Sequence, residues 1–106
     1  MQTYISLIKL TGTGREEIHK SLKRGELVSE IMARNGVTRR DYFLTLGSYD
    51  FIMIFEAETA AGMAQTLVEI GRLGAIVTET MTAFGPEDYA KIQNVLQELE
   101  DYESED

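Results

Sequence analysis

The sequence predicts an α+β domain of ferredoxin-like order, β-α-β-β-α-β, with a four-stranded antiparallel sheet and an extra C-terminal helix. Three observations predict it. Four apolar, β-prone runs alternate with stretches of helical period. The two middle runs, Tyr42 to Leu46 and Phe51 to Phe55, are joined only by Gly47-Ser48-Tyr49-Asp50, a hairpin signal with a four-residue connection. Asn35-Gly36 and Gly74 then close the two helical stretches that flank the hairpin.

Residues 2–10 are apolar and β-branched, and are expected to form the first strand. Thr11-Gly12-Thr13-Gly14 breaks it. A glycine pair between strand and helix invites a phosphate-loop reading, but the third position of a dinucleotide fingerprint is Glu17, and no Gly-Lys-Ser/Thr follows. A simple turn is expected there. Ile18, Leu22, Leu27, Val28, Ile31 and Met32 keep a helical stripe through residues 15–35. Gly25 interrupts it and Ser21 offers an N-cap, so a turn near 14–20 should precede a main helix over about 22–35.

Val37 to Leu46 is the second predicted strand and Phe51 to Ala57 the third. Thr59 should cap a second helix that runs to about Leu73. Its small residues Ala61, Gly62, Ala64 and Gly71 would let another element approach closely. Ala75 to Phe84 is the fourth strand, with Thr78, Thr80 and Thr82 on one face and Val77, Glu79 and Met81 on the other. Pro86, followed by Glu87 and Asp88, opens a helix over 86–102 with an apolar stripe through Tyr89, Ile92, Leu96 and Leu99. The division is thus a core over 2–84, a helix over 86–102 and an acidic, frayed tail over 103–106.

Composition bounds the function. One domain of 106 residues with no cysteine excludes disulfides and thiolate chemistry. Ten basic against 18 acidic residues, net charge -8, argues against nucleic acid, whose phosphates need a basic surface. No apolar run approaches the roughly 20 residues that cross a bilayer, so no membrane partner is expected and a cytoplasmic location is the simplest reading. The strands are apolar on both sides: Phe51, Met53 and Phe55 oppose Ile52 and Ile54. A sheet with one wet face alternates apolar with polar residues. A second sheet, most simply from an identical subunit, is therefore expected on the face the helices leave bare.

Thr45-Leu46-Gly47-Ser48-Tyr49-Asp50 followed by an apolar strand resembles the signature of the GYD-domain family, small bacterial and archaeal proteins. Arg24, Asn35-Gly36, Glu56-Ala57 and the stretch from Leu73 to Phe84, ending Ala83-Phe84, follow in the family's order, so the resemblance covers about residues 3–92. Ser48 stands between Gly47 and Tyr49, where some members have glycine directly before Tyr-Asp, and the last helix outruns the family core. The resemblance implies a dimeric α+β barrel, two ferredoxin-like subunits packed sheet to sheet. Related barrels include cofactor-independent monooxygenases, muconolactone isomerase-like enzymes and ligand-sensing domains, and fold alone does not choose among them.

Seven residues are candidates for a site. Tyr49 can donate to a developing oxyanion and Asp50 can accept a proton, although turn geometry alone would also explain Asp50. Glu79 lies mid-strand among apolar neighbours, where a carboxylate needs a partner. It would be a base inside a barrel, or the mate of an Arg or Lys at an edge or interface. Tyr4, Tyr42 and Thr80 are candidate polar lining residues. His19, the only histidine, has Glu16 on its helix face but no Cys or second His for a metal site. No metal and no cofactor are expected. Two functions compete: a dimer-forming binding or assembly module with a small-molecule pocket in the barrel, and a cofactor-independent enzyme acting on a small, mostly apolar substrate. Packing uses up the apolar content, which favours the first.

Overall fold

A computed structural model of the chain describes residues 1–104. Strands β1 (Gln2–Leu10), β2 (Val37–Leu44), β3 (Phe51–Ala57) and β4 (Ile76–Ala83) form one antiparallel sheet in the order β2-β3-β1-β4. The expected fold class is therefore present, with β1 and β3 central and β2 and β4 at the edges. Between β1 and β2 lie a short helix α1 (Gly12–Glu16), a 3-10 turn (Ile18–Lys20) and helix α2 (Ser21–Arg34). Helix α3 (Ala60–Gly71) joins β3 to β4, and α4 (Pro86–Ser104) follows β4.

Most boundaries follow the sequence signals, and the departures have physical causes. Thr11-Gly-Thr-Gly14 is not a bare turn: Thr11 Oγ1 accepts from the Gly14 N–H at 3.0 Å and caps a five-residue helix. The same hydroxyl donates to the Gly74 carbonyl at 2.7 Å, and Gly14 lets the turn pass the Ala75 carbonyl, which a Cβ would strike. Ser21 is the first residue of α2, not its cap; Lys20 holds the cap position without a side-chain bond. Ile18 and Leu22 do not join the core, at 54% and 83% exposed: α2 buries Ile31 and Met32 and packs Val28 on the core, and Leu22 stands about 180° around the helix from Ile31. The second strand ends at Leu44, and Leu46 is fully in solvent.

Gly36, at φ 68, ends α2 in the left-handed conformation expected after Asn35. Thr59 caps α3 by accepting from the Gly62 N–H at 2.9 Å. Gly62 is where the close approach occurs: a Cβ there would run into the Asn35 carbonyl, so glycine lets the start of α3 sit against the end of α2. Asn35 Nδ2 donates to Glu69 at 3.2 Å, a second tie between the two helices.

Helices α2 and α3 cover one face of the sheet. Tyr4, Ser6 and Ile8 of β1 point to them and are buried, with Phe55 of β3, Val37 of β2 and Met63 of α3. Thr80 of β4 belongs to this face too, and its hydroxyl is hydrogen-bonded to that of Ser6 at 2.8 Å. The opposite face carries Ile5 and Leu7 of β1, Ile52 and Ile54 of β3, Phe43 of β2 and Val77 and Met81 of β4, aligned by the strand registers. None of these side chains is buried, and Phe43, Val77 and Met81 are 54%, 61% and 44% exposed. A bulge between Arg39 and Asp41 changes the phase of β2, which puts Arg39 and Tyr42 on the same side. Helix α4 buries none of its residues and contributes to the 64 Å long axis of the molecule. It continues to Ser104, past the expected end at 102; residues 105–106 of the expected tail lie outside the described residues.

Candidate functional site

The seven candidate residues fall in separate places, and two pairs are brought together, Tyr49 with Glu79 and Tyr4 with Thr80. β4 carries Glu79 opposite Leu7 on the bare face, and the hairpin turn delivers Tyr49 to the same end of that face. Tyr49 donates its hydroxyl proton to Glu79 Oε2 at 2.5 Å. Bonding to Glu79, the negative charge of Glu79 and burial, in that order, raise the Tyr49 pKa above its ordinary value of 10.0. Lys9 Nζ sits over the Tyr49 ring, 5.2 Å from its centroid. Leu7, Lys9, Tyr49, Val77, Thr78 and Glu79 line a shallow hollow of about 170 Å³. Glu79 therefore has a partner, but it is a tyrosine and not the Arg or Lys that an edge position suggested.

Asp50 stands beside Tyr49 in sequence and has another task in the structure. Its Oδ2 accepts from the Leu10 N–H at 2.8 Å, and its own N–H donates to the Ile8 carbonyl at 2.8 Å. The carboxylate thus extends the β1–β3 ladder past the end of β3 and fixes the turn from outside. Thr45 closes the turn itself: its N–H donates to the Asp50 carbonyl at 2.9 Å and its hydroxyl to the Tyr49 carbonyl at 2.6 Å. With the Tyr49 carbonyl held and Asp50 pinned to β1, the Tyr49 ring is aimed across β1 at Glu79.

Tyr4 and Thr80 are on the other side of the sheet. With Thr82 and Ala60, Met63, Ala64 and Leu67 of α3 they line a second hollow, about 240 Å³, between the sheet and α3. Tyr42 lies at the outer edge of the helix-covered side, its ring 5.9 Å from that of Phe51 and under the Arg39 guanidinium. His19 is exposed in the 3-10 turn and lines neither hollow. Among the described residues no three His, Asp or Glu side chains gather as a metal site, and no helix is long and apolar enough to cross a membrane.

Two members of these constellations were not singled out from sequence. Lys9 is the lone cation of β1 and shares the parity of Ile5 and Leu7, which is the signal that would have found it. Ser6 is fully buried and bonded to Thr80. Its mark is a small polar residue flanked by apolar ones on the covered parity. The pair Tyr49–Glu79 can hold a proton between a phenol and a carboxylate, with an ammonium beside the ring. That is a polar, hydrogen-bonding corner on an otherwise apolar face.

The comparisons with known proteins agree with this fold. The GYD domain matches residues 4–93. A relative from Thermus thermophilus, named glutamine synthetase and cystathionine beta-lyase binding protein, is 34% identical over 84 residues, covering 78% of this chain and 88% of the relative. The crystal structure of FFRP-DM1 is similar at a TM-score of 0.54 and 23% identity, over 79% of this chain and all 100% of that one. A second Thermus thermophilus protein of known crystal structure gives a TM-score of 0.56 at 21% identity, over 80% of this chain and 95% of that one. These two structural likenesses carry the fold. The domain match and the 34% identical relative carry more, and by them the chain belongs to the GYD domain family.

Proposed function

We propose that the chain is a binding and assembly module that pairs with a second copy through the bare sheet face and, as a dimer, binds another protein. The observation that carries this reading is that face. Its centre is apolar, with Ile5, Leu7, Ile52 and Ile54 aligned across β1 and β3 and left only half-buried by the described residues. Polar groups stand at its ends: Lys9, Tyr49 and Glu79 at one, and the Arg40–Glu56 pair, 2.8 Å apart, at the other. An apolar centre with a polar rim is the anatomy of a protein interface, and a twofold axis through such a face makes it complementary to itself. The name of the Thermus thermophilus relative supports a protein partner of the same kind, a metabolic enzyme. A small, mostly apolar ligand would enter the barrel at the hollow beside Tyr49.

Sedimentation velocity tests the partner. The purified chain is mixed with glutamine synthetase and, separately, with cystathionine beta-lyase from its own source. Co-sedimentation with either is expected. Failure with both at well above micromolar concentrations contradicts the partner reading, while the mass of the chain alone judges the dimer.

The second reading is a cofactor-independent enzyme, and the Tyr49–Glu79 hydrogen bond favours it. In that reading Glu79 is the base and Tyr49 the donor to a developing oxyanion, with Asp50 a positioning residue. Loss of any turnover found for the chain in both Tyr49→Phe and Glu79→Gln is its expected outcome; turnover indifferent to both removes it.

A further inference from the structure

Helix α4 presents an acidic, apolar face of which, among the described residues, none is buried. At about 100° per residue, Tyr89, Ile92, Val95, Leu96, Leu99 and Tyr102 share one side of the helix. All six are exposed, from 46% at Ile92 to 72% at Tyr102. Asp88 and Glu103 fall within that side, and Glu100 and Lys91, the one base of the helix, flank its two opposite edges. Most helical stability in proteins comes from packing an amphipathic face, so the stripe calls for a cover. The GYD match ends at residue 93, so the second half of α4 lies outside the region matched to the family.

Two copies of α4 make poor partners for each other, because acids would meet acids at both ends of the stripe in either orientation. The chain carries a surface of the opposite kind. Around the 3-10 turn and the start of α2, Ile18 and Leu22 are 54% and 83% exposed, and the stretch around them carries four bases, Arg15, Lys20, Lys23 and Arg24, against Glu16, Glu17 and Glu26. Lys20 and Arg24 pair with Glu17, and Arg15 and Lys23 make no ion pair among the described residues. We infer that α4 of one copy docks on the Ile18–Leu22 surface of a second copy. Leu96 and Leu99 would cover Leu22 and Ile18, and Glu100 and Glu103 would meet Lys23 and Arg15. The contact is separate from the bare sheet face and does not depend on the sheet-to-sheet dimer.

The natural chain has no cysteine, so introduced thiols report pairs directly. Full-length Leu22→Cys and Leu96→Cys proteins are mixed and mildly oxidised. A disulfide between the two different variants is expected to dominate. Replacing Leu96→Cys by Gln97→Cys, on another side of α4, should lower the yield several-fold, and adding Lys23→Glu and Arg15→Glu to the Leu22→Cys protein should do the same. Domination by Leu96-to-Leu96 disulfides, or efficient coupling of Leu96→Cys to Ile52→Cys on the sheet face, overturns the proposal. So does the absence of coupling above the Gln97→Cys background. Repeating the oxidation with Ile54→Asp in both chains separates the two contacts: the α4 pair persists there even if sheet pairing is lost.

Discussion

The two faces of β1 differ by one residue of phase and by everything around them. Tyr4, Ser6 and Ile8 are 8%, 0% and 2% exposed under α2 and α3. Ile5 and Leu7, just as apolar as their neighbours, reach only half-burial. Strand chemistry is thus the same on both sides, and what differs is the cover the chain itself supplies. The covered face shows how this fold uses such residues when they are satisfied: one large ring, Phe55, fully enclosed, and one polar pair, Ser6–Thr80, closed on itself. The bare face has its apolar centre and its own polar pair, Tyr49–Glu79, without the lid. That contrast is why the second face reads as a surface made to meet a second surface.

Mutations on the two faces should separate accordingly. Phe55→Ala, on the covered face, should cost about 3–5 kcal/mol of folding stability in urea denaturation at fixed protein concentration, since it removes a fully buried ring from the core cluster under the helices. A loss below 1 kcal/mol would show that the two faces are not as unequal as the burial indicates. Asp50→Ala comes next, at about 1–3 kcal/mol, because the Leu10 N–H loses its acceptor at the seam between hairpin and β1. Asp50→Asn should recover much of it, as the amide oxygen can still accept. Ser6→Ala should cost about 1 kcal/mol, the ordinary worth of one hydrogen bond in a covered site.

The smallest effect belongs to the polar corner of the bare face. Tyr49 has a raised pKa, so its protonated form is favoured by the fold. That contribution is fully present below the ordinary tyrosine value and is lost as pH rises through the raised one. An ultraviolet titration of tyrosinate should show one tyrosine ionising late, and Glu79→Gln should return it toward the ordinary range. A profile unchanged by Glu79→Gln would break the coupling seen between the two side chains.

Much of the fold is legible in the chain because local signals and the global order agree. The Thr59 cap, the Asn35-Gly36 stop and the Pro86 start each mark a real boundary. What the sequence hides is phase and reach. Parity along β2 fails at the Arg39–Asp41 bulge, which no periodicity announces. Leu22 follows Ile18 by four residues, but it stands nine residues, about 180°, around the helix from Ile31, so a stripe drawn through both misplaces Leu22 in the core. For the site, type was readable and company was not. Glu79 stands out as a mid-strand carboxylate, yet its meeting with Tyr49 depends on a turn held from β1 by Asp50, 40 residues away from Leu10. Tyr4 and Thr80 share a hollow with each other, on the side away from Tyr49.

In the proposed assembly the bare sheet face is the surface that meets a second copy. Light scattering during size exclusion of the full chain and its Ile54→Asp variant tests it most directly. The account predicts a wild-type mass of twice the 11.9 kDa chain or a higher multiple, and a lower assembly state in the variant with its circular dichroism intact. A wild-type monomer at micromolar concentration, or an assembly indifferent to an aspartate at the middle of that face, would contradict it.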